Sequence, residues 1–216
     1  MISATGLRWI LTALFALAAL YALWLVVTPG RTVRNRVGHF FHALMGVLMV
    51  AMAWPWGMDL PTGPQTVVFS AGALWFAAVA ILSSSREEWR AAPLVTALPH
   101  VVMMAAMAWM AAAMDGSAMA SHTQGGGHHM EGMDMSGSGA AGAMSLTGLG
   151  QQWTAGLLAA LLAALGLVWL AQAFDRGRSA APDGSGTLAF LRSEAAEPAC
   201  HAMMATGMAV MFVLLL

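Results

Sequence analysis

Six long runs of apolar residues, separated by shorter polar stretches, dominate the pattern along the chain. A helix needs about 20 mostly apolar residues to cross the hydrocarbon core of a bilayer. The pattern therefore predicts six transmembrane helices, with approximate spans 7–28, 37–57, 65–83, 93–114, 148–173 and 198–216. The first run is longer than the apolar core of a secretory signal, and no convincing cleavage site precedes the arginines that follow it, so we interpret it as a membrane helix.

The composition also indicates that most of the protein surface faces lipid. Of the 216 residues, 59% are hydrophobic and only 9% are charged, whereas a soluble domain carries about 25% charged residues. We expect an all-α, multi-pass protein of the cell membrane with a single membrane domain over residues 1–216. In this prediction residues 115–147 form an extracytoplasmic loop and residues 174–197 a cytoplasmic loop.

The distribution of arginine predicts the orientation of these helices, because positive residues favour cytoplasmic loops. The loops 58–64 and 115–147 contain no arginine, and Arg8, which can snorkel to the interface, is the one exception to the alternation. Both termini are then extracytoplasmic, and helices 2, 4 and 6 run outward. The arginines of the predicted cytoplasmic loops are Arg31, Arg34, Arg36, Arg86, Arg90, Arg176, Arg178 and Arg192.

Several functional classes are excluded by what the sequence lacks. The chain has no lysine, so neither a Walker A motif nor an Asp-Lys-Thr phosphorylation site is present, and nucleotide is not an expected partner. The net charge of −1 gives no electrostatic basis for binding nucleic acid. We also find no nucleophile–base pair and no buried carboxylate pair in the membrane runs, so we do not expect an enzyme.

The even-numbered helices share a repeated motif, His-x2-Met-x3-Met-x2-Met. At about 100° per residue, its four positions fall within about 80° of one another on one helix face. They correspond to the a and d positions of a heptad, which face partner helices. The three copies are His42, Met45, Met49 and Met52 in helix 2; His100, Met103, Met107 and Met110 in helix 4; and His201, Met204, Met208 and Met211 in helix 6.

Because helices 2, 4 and 6 are predicted to run in the same direction, corresponding residues can lie at similar depth. The sequence then predicts three helical hairpins in a pseudo-threefold bundle, with the even helices around the axis. The three histidines form the row nearest the cytoplasm, and three rows of three methionines follow toward the outer face.

The ligand chemistry of these rows favours soft monovalent ions. Thioethers suit Cu(I) and Ag(I), and they discriminate against Zn, Mg and Ca. The neutral sulfurs leave the charge of the ion in place, which suits transfer of the metal rather than storage. The histidine row could accept Cu(I), or Zn or Cu(II) as a three-histidine set.

The predicted outer loop contains further candidate ligands in a stretch rich in Gly, Ser, His and Met. Short histidine-rich tracts are typical of metal binding, and histidine near neutral pH can also take Cu(II). The candidates are Met119, His122, His128, His129, Met130, Met133 and Met135.

The Met-x3-Met pairs resemble those on the pore-lining helix of the eukaryotic high-affinity copper transporters. The resemblance implies stacked methionine triads, a Met/His-rich outer segment and an inner His/Cys end, which Cys200–His201 would match. Those transporters have three helices per subunit and a Gly-x3-Gly motif, whereas the unit here has two helices and no membrane Gly-x3-Gly. As a whole, the chain resembles an uncharacterised actinobacterial-type integral-membrane family of unknown function.

Structural alternatives compete with each of these assignments. A methionine stripe is often packing, a histidine near the interface can be simply hydrated, and the outer loop can be a linker. We read Met104 and Met203 as packing, Cys200 as either a fourth inner ligand or an inert small residue, and His39 as either hydrated or an exit ligand.

Our leading hypothesis is a passive Cu(I) conduit that delivers copper to a cytosolic acceptor. The alternatives are a copper buffer, sensor or metallation factor that does not transport, and a haem or redox protein that uses paired histidines.

Overall fold

The computed structural model describes residues 5–84, 92–123, 148–179 and 194–216, and every regular element within these ranges is a helix. The all-α prediction is therefore confirmed for the described residues. The α-helices are α1 (Thr5–Val27), α2 (Val33–Ala53), α3 (Thr62–Ser84), α4 (Ala92–Thr123), α5 (Leu149–Ser179) and α6 (Ala196–Val213), and a 3-10 helix covers Pro55–Asp59.

Within the described residues, five helices are long and apolar enough to cross a membrane, which is the composition of a multi-pass membrane protein. They are α1 to α5; the sixth predicted span is a helix, α6, but it does not belong to this group. It has only 18 residues, and Glu197 and Pro198 lie in its first turn. Because twelve of its residues are buried, α6 is covered by neighbouring helices and does not need an apolar surface on every side.

Several helices extend beyond the predicted apolar runs. The helix α2 begins at Val33, where the hydroxyl of Thr32 accepts a hydrogen bond from the backbone N–H of Asn35 at 3.4 Å. This N-cap satisfies one of the free donors of the first turn, so the helix starts inside the polar stretch that precedes the apolar run. The helices α4 and α5 likewise continue to Thr123 and Ser179, into the stretches predicted as loops.

The chain divides into two compact units. The first consists mainly of Asp59–Thr154 and contains α3 packed along α4. The second consists of Ala4–Met58 and Ala155–Leu214, and it contains α1, α2, most of α5 and α6.

In the second unit, α1 packs against both α2 and α6 through two glycines. Phe15 of α1 is fully buried, and its backbone carbonyl would lie 3.1 Å from a Cβ placed on Gly46 of α2. Its ring would lie 2.6 Å from a Cβ placed on Gly207 of α6. These glycines follow Met45 and precede Met208, so close approach to α1 holds both motif-bearing helices at fixed positions.

The outer surfaces of the helices remain apolar. Leu17 and Leu20 of α1 are 60% and 63% exposed, and Leu157 and Leu167 of α5 are 69% and 68% exposed. A soluble monomer rarely exposes contiguous apolar surface of this kind. The pattern is that of helices whose outer faces contact lipid.

Arg8 lies in a cluster of aromatic and polar partners. Its guanidinium lies 5.4 Å from the ring centroid of Trp54, and Trp9 meets the same ring edge-on at 5.1 Å. The indole N–H of Trp54 donates to the hydroxyl of Thr12 at 3.1 Å. Cation–π contact stabilises a guanidinium in a partly apolar environment, which explains how α1 accommodates its one arginine.

Replacing Gly46 by alanine should destabilise the second unit. The new Cβ would meet the Ala19 Cβ at 2.9 Å and the Phe15 carbonyl at 3.1 Å, and neither neighbour is a flexible side-chain end. We expect a loss of about 1–3 kcal/mol in the free energy of unfolding, measured as a lower thermal unfolding temperature in detergent. The control is Gly156→Ala in α5, where nothing lies within 4 Å of the new Cβ and better helix propensity favours alanine. Equal unfolding temperatures for the two variants would contradict the close approach of α1 and α2.

Candidate metal centre

The second unit brings two of the predicted ligands into direct contact. The imidazole rings of His42 on α2 and His201 on α6 have centroids 4.9 Å apart and planes inclined at 65°. The residues are 3% and 8% exposed. Buried histidines on two different helices, 159 positions apart in the chain (201 − 42), are therefore neighbours in this unit.

The backbone defines the tautomer of His42. Its Nδ1–H donates to the carbonyl oxygen of Gly38, four residues earlier on the same helix, at 2.8 Å. A neutral imidazole that donates through Nδ1 carries its lone pair on Nε2, the atom that binds a metal. A hydrogen bond from the other ring nitrogen is also the usual way in which proteins orient a histidine ligand.

The separation of the two rings suits one shared ion. Metal–nitrogen bonds of about 2.0–2.1 Å place two imidazole centroids about 5 to 5.5 Å apart when the ligands subtend about 109–120°. Opposed linear ligands, as on the two faces of a haem, would place them about 6.4 Å apart. A ring nitrogen of His42 already lies within 4.8 Å of a ring nitrogen of His201. The observed centroid distance of 4.9 Å is close to the bent arrangement and shorter than the linear one, and it also lies within the range of about 4.5–7 Å for ordinary ring–ring packing contacts.

A third ring, which the sequence analysis missed, packs against His201 of this pair. Trp169 on α5 is 7% exposed, and its ring lies 5.2 Å from that of His201 with an interplanar angle of 33°. A tryptophan near the end of an apolar run is usually an interface anchor, so its position in α5 gave no signal of a buried partner. The contact depends on the approach of α5 to α6 at Gly166, where an added Cβ would lie 2.6 Å from the Thr206 hydroxyl.

The methionines of the repeated motif face the interior. Eight of the nine are buried: Met45, Met49, Met103, Met107, Met110, Met204, Met208 and Met211. Met52, the last position in α2, is partly exposed. Met104 lies outside the motif and is also fully buried, so burial alone does not separate candidate ligands from packing residues.

His100 lies in the first unit. Its ring stacks on Phe76 of α3, with centroids 5.4 Å apart and an interplanar angle of 25°. Its Nδ1–H donates to the Thr96 carbonyl at 3.1 Å, which repeats the backbone contact of His42. Two copies of the motif thus present an imidazole with its lone pair on Nε2 at the same register.

Two residues with open assignments also have definite environments. The thiol of Cys200 is buried and donates to the carbonyl oxygen of Ala18 on α1 at 3.5 Å, which supports its role as a packing residue. His39 is only 8% exposed, so it does not have the surroundings of a simply hydrated interfacial side chain.

Seven candidate ligands belong to the predicted outer loop. His128, His129, Met130, Met133 and Met135 lie outside the described residues, as do the side chains of Met119 and His122. Their assignment as ligands stays a prediction.

Comparison with known proteins identifies relatives without an assigned activity. The model of a protein family described as "Domain of unknown function (DUF5134)" matches residues 34–215. The chain is 38% identical over 109 residues to the uncharacterized proteins Rv0970 of Mycobacterium tuberculosis (strain H37Rv) and Mb0995 of Mycobacterium bovis. The match covers 50% of this chain and 50% of each relative, so the chain is matched over about half the length of these curated relatives. No solved structure matches the chain.

Proposed function

The chain belongs to the DUF5134 family, and we propose that it is a Cu(I)-binding membrane protein that conducts the ion along methionine thioethers to an inner histidine site. The observation that carries the proposal is the buried contact between His42 and His201, with centroids 4.9 Å apart. Intramembrane histidines are functional candidates by default, since a polar group in the membrane is costly. Two imidazoles at this separation offer a borderline-soft pair of ligands to one ion.

The methionines of α2 and α6 continue from this pair along the same helix faces. Met45 and Met204 follow the histidines by three residues, and Met49 and Met208 follow by seven; all four are at most 1% exposed. With a rise of about 1.5 Å per residue, these rows lie about 4.5 and 10.5 Å from the histidines along the helix axes. Neutral sulfurs at such intervals bind Cu(I) weakly enough for it to exchange from one row to the next.

The third copy of the motif completes the arrangement that we propose. His100, Met103 and Met107 have the same register, and both methionines are fully buried. On the strength of this repetition we propose that α2, α4 and α6 surround a common axis in a pseudo-threefold manner. Each row then provides three ligands, which suits trigonal Cu(I) or Ag(I), with Zn or Cu(II) confined to the histidine row.

The proposal also gives a role to each end of the path. The Met/His-rich residues 119–135 capture copper outside, and a cytosolic copper acceptor receives it inside. With both termini extracytoplasmic, a negative-inside potential favours entry of the ion by about 2.3 kcal/mol per 100 mV for a full charge crossing. No covalent chemistry is involved, so the protein acts as a passive conduit and not as an enzyme.

Titration of the purified protein with Cu(I), under reducing conditions and against a chromophoric competitor, tests the proposal. We expect at least about one tightly held Cu(I) per chain, with Zn²⁺ bound far more weakly by a path of thioethers. The absorption spectrum of the protein should contain no Soret band, which would indicate haem. Failure to retain Cu(I) above a detergent blank would refute the proposal. Retention without flux into vesicles would instead identify a copper buffer, sensor or metallation factor.

A further inference from the structure

We propose that His39 and Glu197 form a low-affinity release site for the conducted ion, and that Arg31 closes this site by pairing with Glu197 when no ion is there. This inference rests on the proposed function, because it concerns the ion that leaves the pair of His42 and His201. It adds a negatively charged ligand and a competing cation to a path that otherwise consists of neutral groups.

Helical spacing places both residues one turn beyond the histidine pair. His39 precedes His42 by three residues on α2, and Glu197 precedes His201 by four residues on α6. Residues three or four apart lie on the same helix face, about 5–6 Å from each other. The two faces that bring His42 and His201 into contact therefore continue to His39 and Glu197.

The ion pair and the electrostatic contacts connect these residues. An Arg31 guanidinium nitrogen lies 3.7 Å from a Glu197 carboxylate oxygen, and His39 interacts electrostatically with both residues. Glu197 is therefore the anionic centre of a cluster in which Arg31 is the paired cation.

Burial falls from the histidine pair toward this cluster. His42 is 3% exposed and His39 is 8% exposed, whereas the side chains of Arg31 and Glu197 are 32% and 42% exposed. The release site thus has one side chain in the protein interior and one that reaches water. A soluble chelator or acceptor can approach an ion at Glu197, but not one held between His42 and His201.

Ligand softness falls in the same direction. Imidazole suits copper better than carboxylate does, so the ion is held less tightly at Glu197 than between His42 and His201. The transfer is a ligand exchange with no change of oxidation state: a bond to His201 breaks as one to His39 or Glu197 forms. A guanidinium always keeps its charge, and exposed ion pairs are weak. The incoming ion therefore displaces Arg31 from Glu197, and the Arg31–Glu197 ion pair forms again when the ion has left.

The test measures the rate at which Cu(I)-loaded protein in detergent passes its ion to a water-soluble Cu(I) chelator, followed by stopped flow. Glu197→Gln should bind the same amount of Cu(I) as the wild type but release it about tenfold more slowly, since a ligand has been removed from the path. Arg31→Gln should accelerate release, because the competing cation is gone. The matched control is Glu194→Gln, which removes a nearby carboxylate outside the Arg31–Glu197 pair, and its release rate should equal that of the wild type.

Each outcome separates the two proposals. A wild-type chain that retains no Cu(I) would overturn the proposed function and the release site together. If the wild type retains Cu(I) and the Glu197→Gln and Glu194→Gln variants release it equally fast, the release site alone is wrong. If Glu197→Gln does not fold, Arg31→Gln decides alone, and an unchanged or slower rate for it overturns the inference.

Discussion

Uptake of Cu(I) into proteoliposomes should fall by at least about tenfold when Met49, Met107 and Met208 are replaced together by leucine, given that each tenfold requires only about 1.4 kcal/mol. These three residues occupy the same position in the three motifs, and each is at most 1% exposed. Leucine has nearly the volume of methionine, so the substitution costs little packing energy. It removes the sulfur lone pairs, however, and leaves about 10 Å between the rows of Met45 and Met52 without a ligand.

The control for this experiment is the double variant Met104→Leu and Met203→Leu. These methionines lie outside the repeated register, and Met104 is as deeply buried as the three test residues. The control should transport copper like the wild type if only the motif positions bind the ion. Equal uptake by the two variants would mean that the methionines are packing residues and that copper does not follow this path.

The continuous apolar runs were sufficient to predict the helices, whereas the pseudo-threefold arrangement of these helices stays a prediction. Five runs of mostly apolar residues became helices that can span a membrane, because a helix in lipid must satisfy its backbone internally and must present apolar side chains. The inward orientation of the repeated methionines also followed from spacing alone, since the offsets select one face of a helix. The burial of eight of these nine residues agrees with that argument.

Features that depend on neighbouring helices were not predictable in this way. The helix α6 carries Glu197 and Pro198 in its first turn and still forms part of its unit, because α1 and α5 pack closely against it at Gly207 and Gly166. Trp169 resembles an interface anchor until its partner, His201, is known. The sequence shows the glycines that allow two helices to pack closely. It does not show which helix each glycine contacts.

The pair of His42 and His201 allows a direct separation of structural from metal-binding roles through His201→Phe. Phenylalanine keeps a ring to pack against Trp169 and His42, which lie 5.2 and 4.9 Å from the His201 ring, but it has no ligand atom. We expect Cu(I) affinity to fall by about 100-fold, at the upper end of what loss of supporting groups costs a metal site. Competition titration with a Cu(I) chelator measures this loss.

Stability should change in a different way from affinity. Phenylalanine keeps the ring packing, and each hydrogen bond lost with the imidazole costs only about 0.5–1.5 kcal/mol, so the metal-free His201→Phe variant should stay folded, with a thermal unfolding temperature within about 5 °C of the wild type. Trp169→Phe is the companion variant. It keeps an aromatic ring against His201 and leaves both imidazoles in place, so its Cu(I) affinity should stay near the wild-type value. Should His201→Phe bind Cu(I) as tightly as the wild type, the two rings would be a packing contact. A variant that stays folded and loses its Cu(I) affinity would assign these imidazoles to the metal, because the ring packing is kept and only the ligand atom is removed.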